Sequence, residues 1–177
     1  NRHWSKHPGS WPVASFVANV DPAKWRVVGR EILNGARTIK IEVEAGPTAE
    51  IALKRHEGTL GVTNVWVCWF SVDQGLLPLK IVDTLRYRFA GREYPLEEAP
   101  GTEPKTVYQS EIGRVGGTAW FPMSGSQRTY AIEPKSMNPP DADGLVDELL
   151  LTGRCLNRSK QYLATEREWH ILKLEKV

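Results

Sequence analysis

Residues 25–45 read WRVVGREILNGARTIKIEVEA, and how this stretch folds decides how the rest of the chain is read. Asn34-Gly35 at its centre is the preferred dipeptide of a type I′ turn, because both residues tolerate positive φ. Beyond it Ile39, Ile41, Val43 and Ala45 alternate with Thr38, Lys40, Glu42 and Glu44. A period of two describes a strand with one dry and one wet face. The rival is a helix entered at Asp21, with Pro22 in its first turn and Asn34-Gly35 as its stop. Val27, Val28 and Ile32 favour a strand, and the clean partner beyond the turn favours a hairpin.

Strand signals continue outward: AEIALKR (49–55), TNVWVCWFS (63–71), LPLKIV (77–82) and TLRYRFA (84–90). KTVYQSEIG (105–113), GTAWFPM (117–123), QRTYAIE (127–133) and EWHILKLEKV (168–177) follow. Turn residues recur roughly every 8–12 positions, which marks an antiparallel sheet rather than βαβ units. DADGLVDELLL (141–151), entered through Pro139-Pro140 and ended by Gly153, is a helix candidate or else a loop plus a strand. Residues 1–20 form an N-terminal arm and 21–177 one domain. His3 and His7 have a helical metal-ligand spacing, but Pro8 and Gly9 oppose a helix and no third ligand is near, so a frayed terminus is expected and no metal.

In 63–71 both faces are apolar, with Val65, Val67 and Trp69 on one and Trp66, Cys68 and Phe70 on the other. Such a strand must be covered on both sides. Downstream, Leu85, Tyr87 and Phe89 alternate with Arg86 and Arg88, so one aromatic face continues while the other turns polar. That aromatic face is either an ordinary core beneath a helix or the lining of a ligand-holding hollow.

A net charge of +2 with both signs interspersed gives no electrostatic footprint for nucleic acid. No apolar run approaches the roughly 18–20 residues of a membrane helix, so no transmembrane segment is expected. The start at Asn1, without an initiator Met, is what a removed leader or an excised domain would leave. Cys68 and Cys155 allow one disulfide, although Cys68, set among Trp66, Val67, Trp69 and Phe70, reads better as a buried thiol.

No G-x-S-x-G, H-E-x-x-H, P-loop, GxGxxG or CxxC is present, and GRVGG (113–117) leads into a strand rather than a helix. No cofactor and no catalytic residue is expected, and the protein reads as non-enzymatic.

VCWFSVDQGLLPLKI (67–81), then GGTAWFPMSGSQRTY (116–130) and the final EWHILKLEKV, resemble the LolA-like superfamily, the lipoprotein-sorting-like proteins of bacterial outer membranes. The shared features are an Asp-Gly-Leu-Pro turn after an aromatic strand and a Gly-x-x-Trp-Phe-Pro strand, here Gly117, Trp120, Phe121 and Pro122. Asp73 and Gly75 would shape the turn, with Leu76, Leu77 and Pro78 keeping it against the sheet's apolar side.

The resemblance implies a mainly β fold: one antiparallel sheet curved into an open half-barrel, with one to three short helices at its mouth. It also implies a periplasmic or cell-envelope location and a lipid or lipoprotein acyl chain as ligand. LolA carriers have a longer N-terminal helix, so the lid here is absent, replaced by 141–151 or lost by truncation.

If the sheet curves, Ile39, Ile41, Val43, Trp66, Trp69, Leu85, Tyr87 and Phe89 are the expected ligand-binding lining. Trp120, ahead of Pro122 at an edge or strand end, caps the mouth or packs in the core. The alternative is a protein-interaction or sensor domain of the same fold with a self-filled interior. An enzyme using Glu42 or Glu44 as a cavity acid is a third possibility.

Overall fold

The computed structural model describes Asp21 and residues 24–117, 119–132 and 141–171. The arm at 1–20 and the predicted strand's end at 172–177 lie outside the described residues. Within them the chain forms ten strands and one helix, and the expected antiparallel, open sheet is what is seen.

The hairpin forms as read. β1 (Trp25–Leu33) pairs with β2 (Ala36–Glu44) across Asn34 at φ 51° and Gly35 at φ 80°, the positive pair a type I′ turn demands. A register shift between Val27 and Gly29 bends β1.

The spine of the sheet is a second, longer hairpin of β4 (Thr59–Ser71) and β5 (Pro78–Phe89). The two strands anticipated at 77–82 and 84–90 are one, because Asp83 stays in the ladder opposite Trp66. Each outer edge of the spine is shared by two partners. On β4, residues 65–71 take β2 and residues 59–62 take β3 (Ala49–Ala52). On β5, residues 86–89 take β6 (Arg92–Glu98) and residues 80–83 take β7 (Thr106–Val115). The wide wing continues through β8 (Ala119–Ile132) to β10 (Gln161–His170), while the narrow wing ends with β9 (Cys155–Asn157) parallel to β6.

The turn after β4 is held by charge rather than by its leucines. Asp73 accepts from the backbone N–H of Arg37 at 3.3 Å and from its Nε at 3.0 Å, which ties the turn to the start of β2. Gly75 takes φ 71°, as a shaping residue should. Leu76, expected to pack on the sheet, instead stands exposed at φ 56°; burial here falls to Pro78. The Leu76 backbone N–H donates to Ser71 O within the turn.

The open reading of 141–151 resolves as a helix, α1 (Ala142–Thr152). Asp141 caps it by accepting from Gly144 N at 2.7 Å, and Gly153 ends it at φ 70° with its N–H on Leu149 O. Eleven residues make a marginal helix in isolation, so docking must hold it. Val146 and Leu149 are its apolar anchors. Asp143, in the first turn, accepts from the backbone N–H of Arg55 at 2.7 Å and of Lys54 at 3.1 Å, closing the β3–β4 loop onto the helix.

Those N–H groups, Arg55's first, hold the Asp143 carboxyl below its ordinary value of 3.8. A depressed folded pKa adds stability that is complete above the unfolded value and is lost as pH falls through the folded one. Asp143→Asn is therefore expected to lower the urea midpoint most near neutral pH, with the gap from the parent protein closing as pH falls below the ordinary carboxylate value of 3.8. A gap that stays constant across that range would rule out the ionised carboxylate as the source.

Candidate functional site

Alternation along the strands gives the spine two unlike faces. The registers Val43↔Trp66, Ile41↔Cys68, Ile39↔Phe70 and Cys68↔Ile81 gather one apolar set on a single face. Val43, Cys68, Phe70 and Ile81 are buried there, packed by Trp25, Ile41, Trp66 and Tyr108. Trp25 stacks on Phe70 with ring centroids 6.4 Å apart.

Further along the same face Leu60 and Tyr87 meet Val146 and Leu149 of α1 together with Cys155, and Leu85 and Phe89 pack around them. Cys68 and Cys155 sit in these two different clusters as free thiols, as the preferred reading had it. Burial pushes Cys68 up to about 12 and Cys155 up to about 11.

Seven of the nine residues expected to line a ligand hollow thus share one face. Six of them (Ile41, Val43, Trp66, Leu85, Tyr87 and Phe89) lie in clusters where the protein's own side chains do the packing. Trp69 does not join them. It lies an odd number of positions from both Trp66 and Cys68 on the same strand, and it points to the other face beside Val67 and Val82. Trp120 belongs to neither group: half-buried on β8, it packs near Gly75 of the β4–β5 turn, with the Arg114 guanidinium 4.6 Å from its ring. Pro122 is buried opposite the bulge between Glu111 and Ile112, a place that tolerates a missing N–H.

The open space lies on the Trp69 face. A cavity of about 370 Å³ has Val65, Val67, Val82 and Trp69 as its floor, Val28 of β1 on one side and Pro95–Glu98 with Pro104 on the other. Lys40, Arg86, Glu42, Glu97 and Glu98 supply its charges. A second depression, about 410 Å³, lies between the loops around Gly58 and Gly91. Its walls are Glu50, Glu57, Thr59 and Arg88 with Phe89 as the one aromatic, and the Arg88–Glu50 pair at 2.7 Å crosses it, so it lacks an apolar floor. The smaller cavity is the better candidate.

Its carboxylates are engaged in ion pairs and hydrogen bonds. Glu42 accepts from Arg26 at 2.6 Å and from Arg86 at 3.2 Å, and Glu44 accepts from Arg86. The two carboxylates considered as cavity acids are thus bound to guanidinium groups. Glu97 is engaged by Arg154, and Glu98 accepts from Thr102 and Asn157. No cluster of metal-ligating side chains occurs among the described residues.

Val65, Val67 and Val82 were absent from the expected lining although their signal was present. Val65, Val67 and Trp69 had been read as one face, and carrying that parity across the register to β5 brings in Val82, Thr84 and Arg86. What no local pattern announced was that β1 and the 95–104 segment would wall that face. A scan against protein-family models finds no match to this chain, and searches of curated proteins and of solved structures find none either.

Proposed function

We propose that this is a non-enzymatic, LolA-like binding domain of the cell envelope, holding the apolar part of a lipid or similar ligand against one face of its sheet. The observation that carries the reading is the cavity over Val65, Val67, Val82 and Trp69, walled by β1 and the 95–104 segment. Its volume falls in the range of small-molecule sites, and an apolar floor with a few charged groups at the margin is their usual make-up. Each methylene buried there contributes about 0.8 kcal/mol, so six contribute about 5 kcal/mol before the costs of association. The ligand-holding face in this reading is the Trp69 face and not the Trp66 face.

An environment-sensitive fatty-acid probe is expected to bind the folded protein and to be displaced by long-chain but not short-chain amphiphiles. Val67→Glu, which puts a charge in the floor, is expected to weaken the probe at least tenfold, a cost of about 1.4 kcal/mol. Leu151→Ser, on the exposed side of α1, is expected to leave it unchanged. Absence of probe binding would sink the reading.

It would favour the second one, a protein-interaction or sensor domain. That reading is supported by the way α1 fills the Tyr87 end of the aromatic face with the protein's own side chains. It is also supported by the exposure of Val27 and Ile32 on the edge strand β1.

A further inference from the structure

The proposed cavity has an uneven charge at the Trp69 end, and that unevenness points to the head of the ligand. In the register, Lys40 of β2, Trp69 of β4 and Lys80 of β5 are direct cross-strand neighbours on one face. The Lys40 ammonium lies 4.9 Å and the Lys80 ammonium 5.3 Å from the centre of the same indole. Both lysines are half-buried and Trp69 is buried.

Neither ammonium makes a salt bridge among the described residues. The carboxylates that could have served are taken. Glu31 accepts from Trp69 Nε1, Glu42 from Arg26 and Arg86, and Glu97 from Arg154. The indole face offsets part of the cost of two partly desolvated cations, but it supplies no formal counter-charge. Arg86, the other cation that lines the cavity with Lys40, is in contrast surrounded by Glu42, Glu44 and Glu93.

We infer that the cavity takes an anionic amphiphile, its carboxylate or phosphate head at the Trp69 end within reach of the Lys40 and Lys80 ammonium groups and its chain over Val67 and Val82. The inference rests on the binding reading above and specifies the ligand class. An anion there would be met by two ammonium groups, the Glu31 carboxylate on the same indole being engaged by Trp69 Nε1–H, and its chain would leave along the apolar floor. A neutral head would leave the pair uncompensated, and a cationic head would be repelled by it.

The test compares ten-carbon ligands that differ only in the head: decanoate, decyl phosphate, decanol and decyltrimethylammonium, each by displacement of the fatty-acid probe. Decanoate or decyl phosphate is expected to bind at least tenfold more tightly than decanol, and the cation more weakly than either. The preference of one anion over the other identifies the head. Lys40→Gln and Lys80→Gln are each expected to reduce anion affinity several-fold, and together to abolish the advantage over decanol while decanol binding persists. Persistent decanol binding also shows that the variants fold. The anion advantage is expected to shrink with added salt, since these lysines are only half-buried. Equal binding of decanol and decanoate, or an anion preference untouched by the double variant, would overturn the inference while leaving the binding reading intact. Failure of all four ligands would overturn both.

Discussion

Leu149→Ala is expected to lower the unfolding free energy by about 3 kcal/mol. Leu149 is 1% exposed and packs with Val146, Leu60, Tyr87 and Cys155, so its loss leaves a cavity at the centre of the contact between α1 and the narrow wing. The helix has eleven residues and holds to the sheet by one apolar edge, and little of its stability is its own. Its detachment should be local before it is global. The two thiols separate these possibilities, because Cys155 lies in the cluster that opens and Cys68 lies in the other. A thiol reagent is expected to modify Cys155 faster in the variant under native conditions, with Cys68 as slow as in the parent protein. Equal acceleration at both would show that the sheet and helix unfold as one unit. A loss below about 1 kcal/mol would show that Leu149 does not anchor the helix.

The parts legible in the sequence were those set by neighbours within a few residues. Asn34-Gly35 and the alternation after it favour a hairpin over the rival helix, whereas 141–151, with Gly153 as its stop, fits a helix or a loop plus a strand until its docking on the sheet decides. Two strands were split because their interruptions are answered from far away. Asp83 reads as a break between apolar runs but lies in the ladder opposite Trp66.

Gly125, in the Ser-Gly-Ser stretch of β8, reads as a turn but continues the strand beneath Trp169 of β10. A Cβ there would come within 2.4 Å of that indole and 2.6 Å of Gln109 O. β6 was missed because Pro95 and the paired acids Glu97 and Glu98 argue locally against a strand, while its partners are Arg86–Phe89 and the three residues of β9. The site shows the same division. Parity along β4 separates Trp66 from Trp69 and was readable. Which face would be filled and which left open depended on where α1 and the 95–104 segment came to rest, and that is a matter of tertiary packing.

Arg86→Met is expected to cost about 3 kcal/mol, by stranding carboxylates rather than by losing contact area. The Arg86 side chain is 8% exposed, and its guanidinium lies 3.2 Å from Glu42 and 3.8 Å from Glu93 while also bonding Glu44. Arg26 shares Glu42 at 2.6 Å and Glu93 at 2.8 Å. The group thus joins β1, β2, β5 and β6 at the margin of the cavity, with two guanidinium groups serving three carboxylates.

Methionine keeps most of the apolar stem and isolates the loss of charge. Glu44 and Glu93 are more than a third exposed and can turn to water, so most of the cost is assigned to Glu42, which is 14% exposed and left with Arg26 alone. That assignment has a direct check in a double-mutant cycle with Glu42→Gln, read by urea unfolding. Glu42→Gln in the Arg86→Met background is expected to recover about 1 kcal/mol or more, because it removes the charge that the first substitution left unmatched. Additive losses would show that the two side chains are not coupled, and that the cost of Arg86→Met does not come from a stranded Glu42.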